Sequence, residues 1–274
     1  MTLTVVDAFA RRPFEGNPAA VCVLEAPAPE EWMRGLAAEM NLSETAFITP
    51  GQDGAYGLRW LTPEAEVDLC GHATLAAAHV LFSDFPGLGA EAGTPEVRFD
   101  TRSGRLTVRR DGDRYVMDFP ATPPAAAPAP DGLADALGTA FVWTGRSRFD
   151  AFVEVESEAA LRAIEPDHSQ IARLDARGVI VTARAEDDAP YDVVSRFFAP
   201  GCGVPEDPVT GSAHCAIGPY WADKLGIDSL DCFQASRRGG HVGVYMRGDR
   251  VELTGRAVTV YRAELEPPAR PDAR

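Results

Sequence analysis

Apolar residues along this chain mostly alternate with polar ones or run in short blocks, and only a few segments carry helical spacing. Residues 2–9 and 19–24 read as strands, with Val21 and Val23 apolar and Gly16-Asn17-Pro18 as the turn before the second. Pro29-Glu30-Glu31-Trp32 opens a helix that runs through Met40, with Trp32, Leu36 and Met40 on one face. Asn41-Leu42-Ser43-Glu44-Thr45 breaks it and leads into a strand at Ala46-Phe47-Ile48. Residues 72–83 are so rich in alanine and apolar side chains that the predicted helix is buried all round.

Pro120 to Pro130 is a proline–alanine run that fits neither a helix nor a central strand and marks a lobe boundary. Beyond it come a strand at 149–155, helices within 157–173, strands at 178–183 and 191–198, a helix at 211–225 and a hairpin at 241–253. Residues 257–265 alternate as a last strand able to complete the sheet of either lobe, and 267–274 is expected to be a disordered tail. The expected class is α+β: an N-terminal lobe over 1–118 and a C-terminal lobe over 119–256. Each is a mostly antiparallel sheet or barrel wrapped on a central helix.

The lobes look like copies of one another. Arg59-Trp60-Leu61-Thr62-Pro63, an acidic segment and Cys70-Gly71-His72-Ala73-Thr74 parallel Arg196-Phe197-Phe198-Ala199-Pro200, an acidic segment and Thr210-Gly211-Ser212-Ala213-His214. Each reads as a strand, a proline turn, a loop and a Gly-X helix start. Downstream, Asp111-Gly112-Asp113-Arg114 is echoed by Arg247-Gly248-Asp249-Arg250. Two helix starts with free backbone N–H groups predict an anion-binding cleft between the lobes.

The formal charge of −15 argues against nucleic acid and anionic membranes as partners, so an anionic substrate must be held by local dipoles. No 18-residue uncharged apolar run and no basic leader occur, which predicts neither a membrane span nor secretion. Five scattered cysteines without a CxxC pair speak against a zinc site or a disulfide framework and for a reducing cytoplasm. Gly87-Leu88-Gly89 follows a helix rather than a strand and is no dinucleotide fingerprint. Lys224, the only lysine, lies at the polar end of a helix, a weak candidate for Schiff-base chemistry.

Phe14-x-Gly16-Asn17-Pro18, Ser43-Glu44-Thr45-Ala46-Phe47, Cys70-Gly71-His72-Ala73-Thr74 and Asp207-Pro208-Val209-Thr210-Gly211-Ser212-Ala213 together resemble the PhzF-like family of phenazine biosynthesis. The resemblance covers residues 3 to 265 and implies the pseudo-two-fold fold of diaminopimelate epimerase and proline racemase. Epimerases of that fold carry one cysteine at each helix start. Here the first copy keeps Cys70 and the second has Thr210, whose hydroxyl has no useful acidity at pH 7, so two-thiol racemization is not expected. The resemblance instead implies that Glu44 shuttles a proton, with His72, Asp207 and Ser212 completing the site. The family's characterised reaction isomerises a dihydro-hydroxyanthranilate without metal or cofactor.

On local chemistry alone, Glu44 could be a capping carboxylate, His72 and Ser212 could cap their helices, and Asp207 could serve an Asx-Pro turn. The charged form of a histidine at a helix N-terminus is disfavoured, so His72 is expected to be neutral; a thiol there can be acidified, although Cys70 reads better as a pocket-lining residue. Asn17 is expected to fix its loop and to touch ligand, and the backbone at Gly71, Thr210 and Gly211 to bind substrate. His79, His168 and His214 read as structural. The leading expectation is a cofactor-independent isomerase acting on a small carboxylate, with a homodimer as the candidate assembly. An amino-acid racemase using Cys70 and a non-catalytic small-molecule binder are the alternatives.

Overall fold

A computed structural model of the chain describes residues 1–85 and 95–266, so Gly87-Leu88-Gly89 and the tail 267–274 lie outside the described residues. The chain divides into two compact units, one holding Met1–Met117 and the described residues from Arg256 on, the other Asp118–Gly255. Among the described residues no helix is long and apolar enough to cross a membrane.

The first unit contains β1 (Thr2–Ala8), β2 (Asn17–Val23), β3 (Glu44–Pro50), β4 (Tyr56–Leu61), β5 (Glu66–Val67), β6 (Glu96–Thr101), β7 (Gly104–Asp111), most of β8 (Arg114–Pro120) and β17 (Ala257–Glu264). Neighbouring strands follow the order β17, β1, β2, β3, β4, β6, β7, β8, with β5 added on β4. Only β2–β3 and β4–β6 are parallel.

The second unit contains β9 (Ala125–Ala126), β10 (Trp143–Arg146), β11 (Ala151–Glu154), β12 (Val179–Arg184), β13 (Val193–Phe198), β14 (Ser229–Gln234), β15 (Gly240–Arg247) and β16 (Arg250–Gly255). These pair in sequence order, and only β11–β12 and β13–β14 are parallel. The succession of strand senses is thus the same in both units.

Each parallel pair needs a crossover, and each crossover carries helix. In the first unit α1 (Glu30–Met40) joins β2 to β3, and α2 (Gly71–Asp84) lies between β4 and β6. In the second, two short helices, α4 (Glu158–Arg162) and α5 (His168–Ile171), take the place of α1 after the small α3 (Leu133–Leu137). There α6 (Gly211–Leu225) takes the place of α2. As its alanine-rich sequence requires, α2 buries residues around its whole circumference and packs on β1, β2 and β3. Close packing of α6 on β15 and β16 depends on Gly218, where a Cβ would come within 2.5 Å of Val244 Cγ1.

Most predicted elements stand within two residues of their expected ends, and the differences have physical causes. Asn17 and Pro18 belong to β2, and the chain reverses before them through Phe14 (φ 75°) and Gly16 (φ 66°). In α1 the most buried positions are Met33 and Ala37, while Trp32, Leu36 and Met40 pack partly buried against the same cluster. Glu44 begins β3 instead of preceding the strand. Within the proline–alanine run Ala125–Ala126 pairs with β10 as an edge strand, the one strand position where proline neighbours cost no ladder bond. The last strand, β17, pairs with β1. Elements that carried no clear signal include β5, β6, α3, β10 and β14, and the buried side of β14 is Leu230, Cys232 and a polar Gln234.

Both central helices hold a buried or partly buried histidine that burial keeps unprotonated, as a structural reading requires. His79 stands between Tyr115 Oη and Thr259 Oγ1, 2.9 Å from each, and His214 Nδ1 lies 2.8 Å from the Thr210 carbonyl oxygen. Desolvation lowers the pKa of each to about 4. The folded state therefore resists protons that the unfolded chain accepts, so this stability is present above pH 6.5 and is lost as pH falls toward 4. Urea unfolding should show the unfolding free energy falling by about 3 kcal/mol from His214 alone across that window. His214→Gln, uncharged at either pH, should flatten the fall; an unchanged pH profile in the variant would refute the assignment.

Candidate active site

The expected site residues fall into one cluster in each unit. In the first, Asn17 opens β2 and Glu44 opens β3, and the parallel register places Glu44 beside Ala19. Cys70 is the N-cap of α2 in an extended conformation (φ −143°), so Gly71, His72 and Ala73 form the first turn. Their N–H groups have no partner within the helix.

The Glu44 carboxylate approaches the His72 ring with Oε2 3.0 Å from Nε2. Both atoms are buried and off the line of a good hydrogen bond, and neither has another partner. On the ring's other side, Asn17 Nδ2 lies 3.2 Å and Cys70 Sγ 3.5 Å from His72 Nδ1. Ser43 Oγ donates to Asn17 Oδ1 at 3.4 Å. Asn17, Glu44, Cys70 and His72 are thereby brought together.

One electrostatic expectation is corrected. Burial pulls the His72 pKa down, but its interactions with Cys70 and Glu44 outweigh it, leaving the pKa well above 6.5. A carboxylate at 3.0 Å overrides the helix terminus that was expected to keep this imidazole neutral. The Cys70 thiol is not acidified: burial first, then the Glu44 charge, push it up to about 11. Cys70 keeps its proton at neutral pH, so the anion that His72 meets there is Glu44.

In the second unit Thr210 is the N-cap of α6, also extended (φ −114°). Its hydroxyl donates to Asp207 Oδ2 at 2.5 Å, and its N–H donates to Gln234 Oε1 at 2.8 Å. Gln234 Nε2 returns a bond to the Asp207 carbonyl at 2.7 Å. Ser212 accepts from Arg177 Nη2 at 3.1 Å, and Arg177 is forked onto the buried Asp150 at 2.8 and 2.6 Å. The Ser212 hydroxyl thus accepts from a permanent cation.

Sequence reasoning did not find Gln234, Asp150 or Arg177. Matching Arg59 to Arg196 through their strand partners, Phe47 and Val181, sets Glu44 against Gly178, next to Arg177. The second helix residue of α2 faces a carboxylate, and that of α6 faces a guanidinium. No local sequence pattern marks Arg177, because its partners Asp150 and Ser212 lie 27 and 35 residues away.

The acidic segment ahead of each helix has a defined use. Arg59 makes a two-bond fork to Glu66 (2.7 and 2.7 Å), and Arg196 makes one to Glu206 (2.7 and 3.1 Å). Each glutamate stands four residues before the N-cap, so each fork ties the loop that delivers the helix start to the strand before it.

A family model described as phenazine biosynthesis-like protein matches residues 6–263. The chain belongs to the PhzF-like family. It is 49% identical over 262 residues to an uncharacterized isomerase of Halalkalibacterium halodurans, covering 95% of this chain and 97% of the relative. A PhzF-family crystal structure from Enterococcus faecalis superposes with a TM-score of 0.91 at 41% identity, over 97% of this chain and 99% of that one. At the level of fold alone, a hydroxyproline epimerase from Agrobacterium vitis is similar, with a TM-score of 0.61 at 13% identity over 96% and 91% of the two chains. This PhzF-like chain therefore shares its fold with proline racemase-type epimerases.

The His72 environment gives a direct test. Glu44→Gln removes one of the two neighbours that raise the imidazole, while burial still pulls it down. NMR titration of the His72 ring should show its pKa falling. An unchanged value would mean that Glu44 does not set the site's electrostatics.

Proposed function

We propose that this PhzF-like protein is an isomerase that moves a proton between carbons of a small carboxylate-bearing substrate, with Glu44 taking and returning it. The observation that supports this best is a buried Glu44 oxygen with no in-line hydrogen-bond partner, held against His72 at the start of a helix. A carboxylate whose acceptor atom is not consumed by the fold is available to accept a proton from a C–H bond. His72, kept proton-bearing by its surroundings, orients that carboxylate and supplies a positive neighbour as charge develops. The N–H groups at the start of α2 suit the same purpose.

Binding of the substrate's polar groups is assigned to the second unit's cluster. Ser212 accepts from Arg177, which leaves its own O–H free to donate to a carboxylate. Asp207 would take a substrate amine or hydroxyl, while the backbone at Gly211 offers N–H groups of the helix start. Relatives named isomerases agree with the reaction class. Trans-2,3-dihydro-3-hydroxyanthranilate is the first compound to try.

Glu44→Gln is nearly isosteric, so the fold should persist while the proton acceptor is lost. Turnover and incorporation of solvent deuterium should fall together by at least about 10²–10⁴, the usual contribution of one positioned acid–base group, with ligand affinity roughly unchanged. Deuterium exchange at near wild-type rate in that variant would make Glu44 structural and sink the mechanism.

Cys70 distinguishes this reading from a thiol-based racemase. A thiol raised to about 11, whose counterpart in the second copy is Thr210, is a poor base at neutral pH. Cys70→Ala should retain activity within about tenfold in the same exchange assay, against the 10²-fold or greater loss typical of a missing acid–base group. A loss as deep as that of Glu44→Gln would favour the racemase.

A further inference from the structure

Arg177, just ahead of β12 in the second unit, is held from several sides. Its N–H donates to the Phe149 carbonyl at 3.1 Å, and its own carbonyl accepts from Cys202 Sγ. The guanidinium carbon stands 5.1 Å from the centre of the Phe149 ring and 5.6 Å from that of Phe197. Gly178 lets Phe197 come that close, since a Cβ there would meet the Phe197 ring at 2.5 Å. Nε and Nη2 fork onto Asp150, whose side chain is 2% exposed against 38% for Arg177, and Nη2 also donates to Ser212 Oγ. We infer that the outer edge of Arg177, Nη1 with Nη2, and the Ser212 hydroxyl form the receptor for one carboxylate group of the substrate, and that Asp150 restricts this receptor to singly charged anions. The inference rests on the reading that this cluster binds the substrate's polar groups.

A guanidinium is planar and presents its donors along fixed edges. Asp150 takes the inner edge with both oxygens, so the second Nη2 hydrogen points along the outer edge, where Ser212 stands. Nη1 lies on that same edge and, among the described residues, donates to nothing. Ser212 Oγ accepts there, and its own hydrogen goes to none of the described residues. An Nη1–H and an O–H thus stand together on a partly exposed edge, two donors for the two oxygens of one carboxylate. An arginine needed only to neutralise Asp150 would require neither the two rings nor the serine, because the fork already satisfies the buried carboxylate. Charge balance sets the selectivity. Asp150 cancels the formal charge of Arg177, so the outer edge offers directed donors without a net positive charge. One carboxylate adds a single negative charge to this cluster, whereas a phosphate dianion adds two, in a chain that already carries −15. At the corresponding start of α2 the Glu44 carboxylate stands against His72 and would repel such a group, so the receptor belongs to this copy.

The test is an NMR titration of the full chain with sodium benzoate at constant ionic strength, following the backbone amide of residue 212. Inorganic phosphate above neutral pH serves as the dianion. Benzoate should shift that amide saturably, and phosphate should bind at least about tenfold more weakly. Arg177→Lys keeps a cation beside Asp150 but lacks the outer edge, and it should weaken benzoate binding by at least about tenfold. Ser212→Ala leaves the Asp150 pair intact and should weaken it about three- to tenfold. Asp150→Asn is nearly isosteric and removes the cancelling charge, so phosphate affinity should rise relative to benzoate by about tenfold. Arg148→Gln removes the neighbouring cation, which stacks on Phe149, and should leave benzoate affinity within about twofold. No saturable shift in the wild type, unchanged affinity in Arg177→Lys and Ser212→Ala, or an equal loss in Arg148→Gln would overturn the inference. Glu44→Gln should leave benzoate affinity unchanged. The titration reads no turnover, so a Glu44→Gln variant that still exchanged the substrate proton would sink the proton carrier and leave the carboxylate receptor standing.

Discussion

Two parallel strand pairs in each unit constrain everything else in this molecule. A parallel pair cannot be closed by a hairpin, so the chain must leave the sheet and return, and here it returns through helix. In the first unit one crossover delivers Glu44 at the opening of β3, and the other delivers Cys70, Gly71 and His72 at the opening of α2. The second unit repeats this with Arg177 just ahead of β12, and with Thr210, Gly211 and Ser212 at α6. Helix-start N–H groups and strand-end side chains meet where these crossovers start and end.

Forks such as Arg59–Glu66 and Arg196–Glu206 turn that constraint into a defined geometry. Glu66 is 4% exposed in its side chain, and Arg59 and Arg102 both contact it, so the loop before α2 is anchored by charge on both sides. Arg196 also bonds the Ile164 carbonyl at 2.7 Å, which ties the α4–α5 crossover to the loop before α6. Partly exposed pairs of this kind add little to net stability individually. Their contribution is positional, since the forked geometry fixes direction as well as distance.

The copies have diverged in charge. Around α2 a buried carboxylate raises an imidazole and suppresses a neighbouring thiol, a set suited to moving protons. Around α6 a guanidinium held by Asp150 faces a serine, a set suited to holding an anion. The copies differ in the sign of the side chain at the second helix residue, Glu44 beside His72 and Arg177 beside Ser212, and in Cys70 against Thr210 at the N-cap.

Much of this was legible in the linear sequence. Alternation and apolar blocks marked most strands, alanine content marked α2 as buried, and the repeated Arg-turn-acid-Gly pattern marked both helix starts with their N-caps. Those signals are local, and local preference agrees with the fold at those positions. Ionisation was decided by tertiary structure. Neither the rise of His72 nor the suppression of Cys70 could be read from a helix N-terminus, because Glu44 reaches them from 26 to 28 residues away through a strand register. Arg177, Asp150 and Gln234 were invisible for the same reason, and so was β14, whose buried glutamine breaks the apolar alternation to bond Thr210. Sequence fixes which elements form because secondary structure is governed by neighbours along the chain. Which charges face one another is governed by neighbours in space, and at this site those come from strands and helices far apart in sequence.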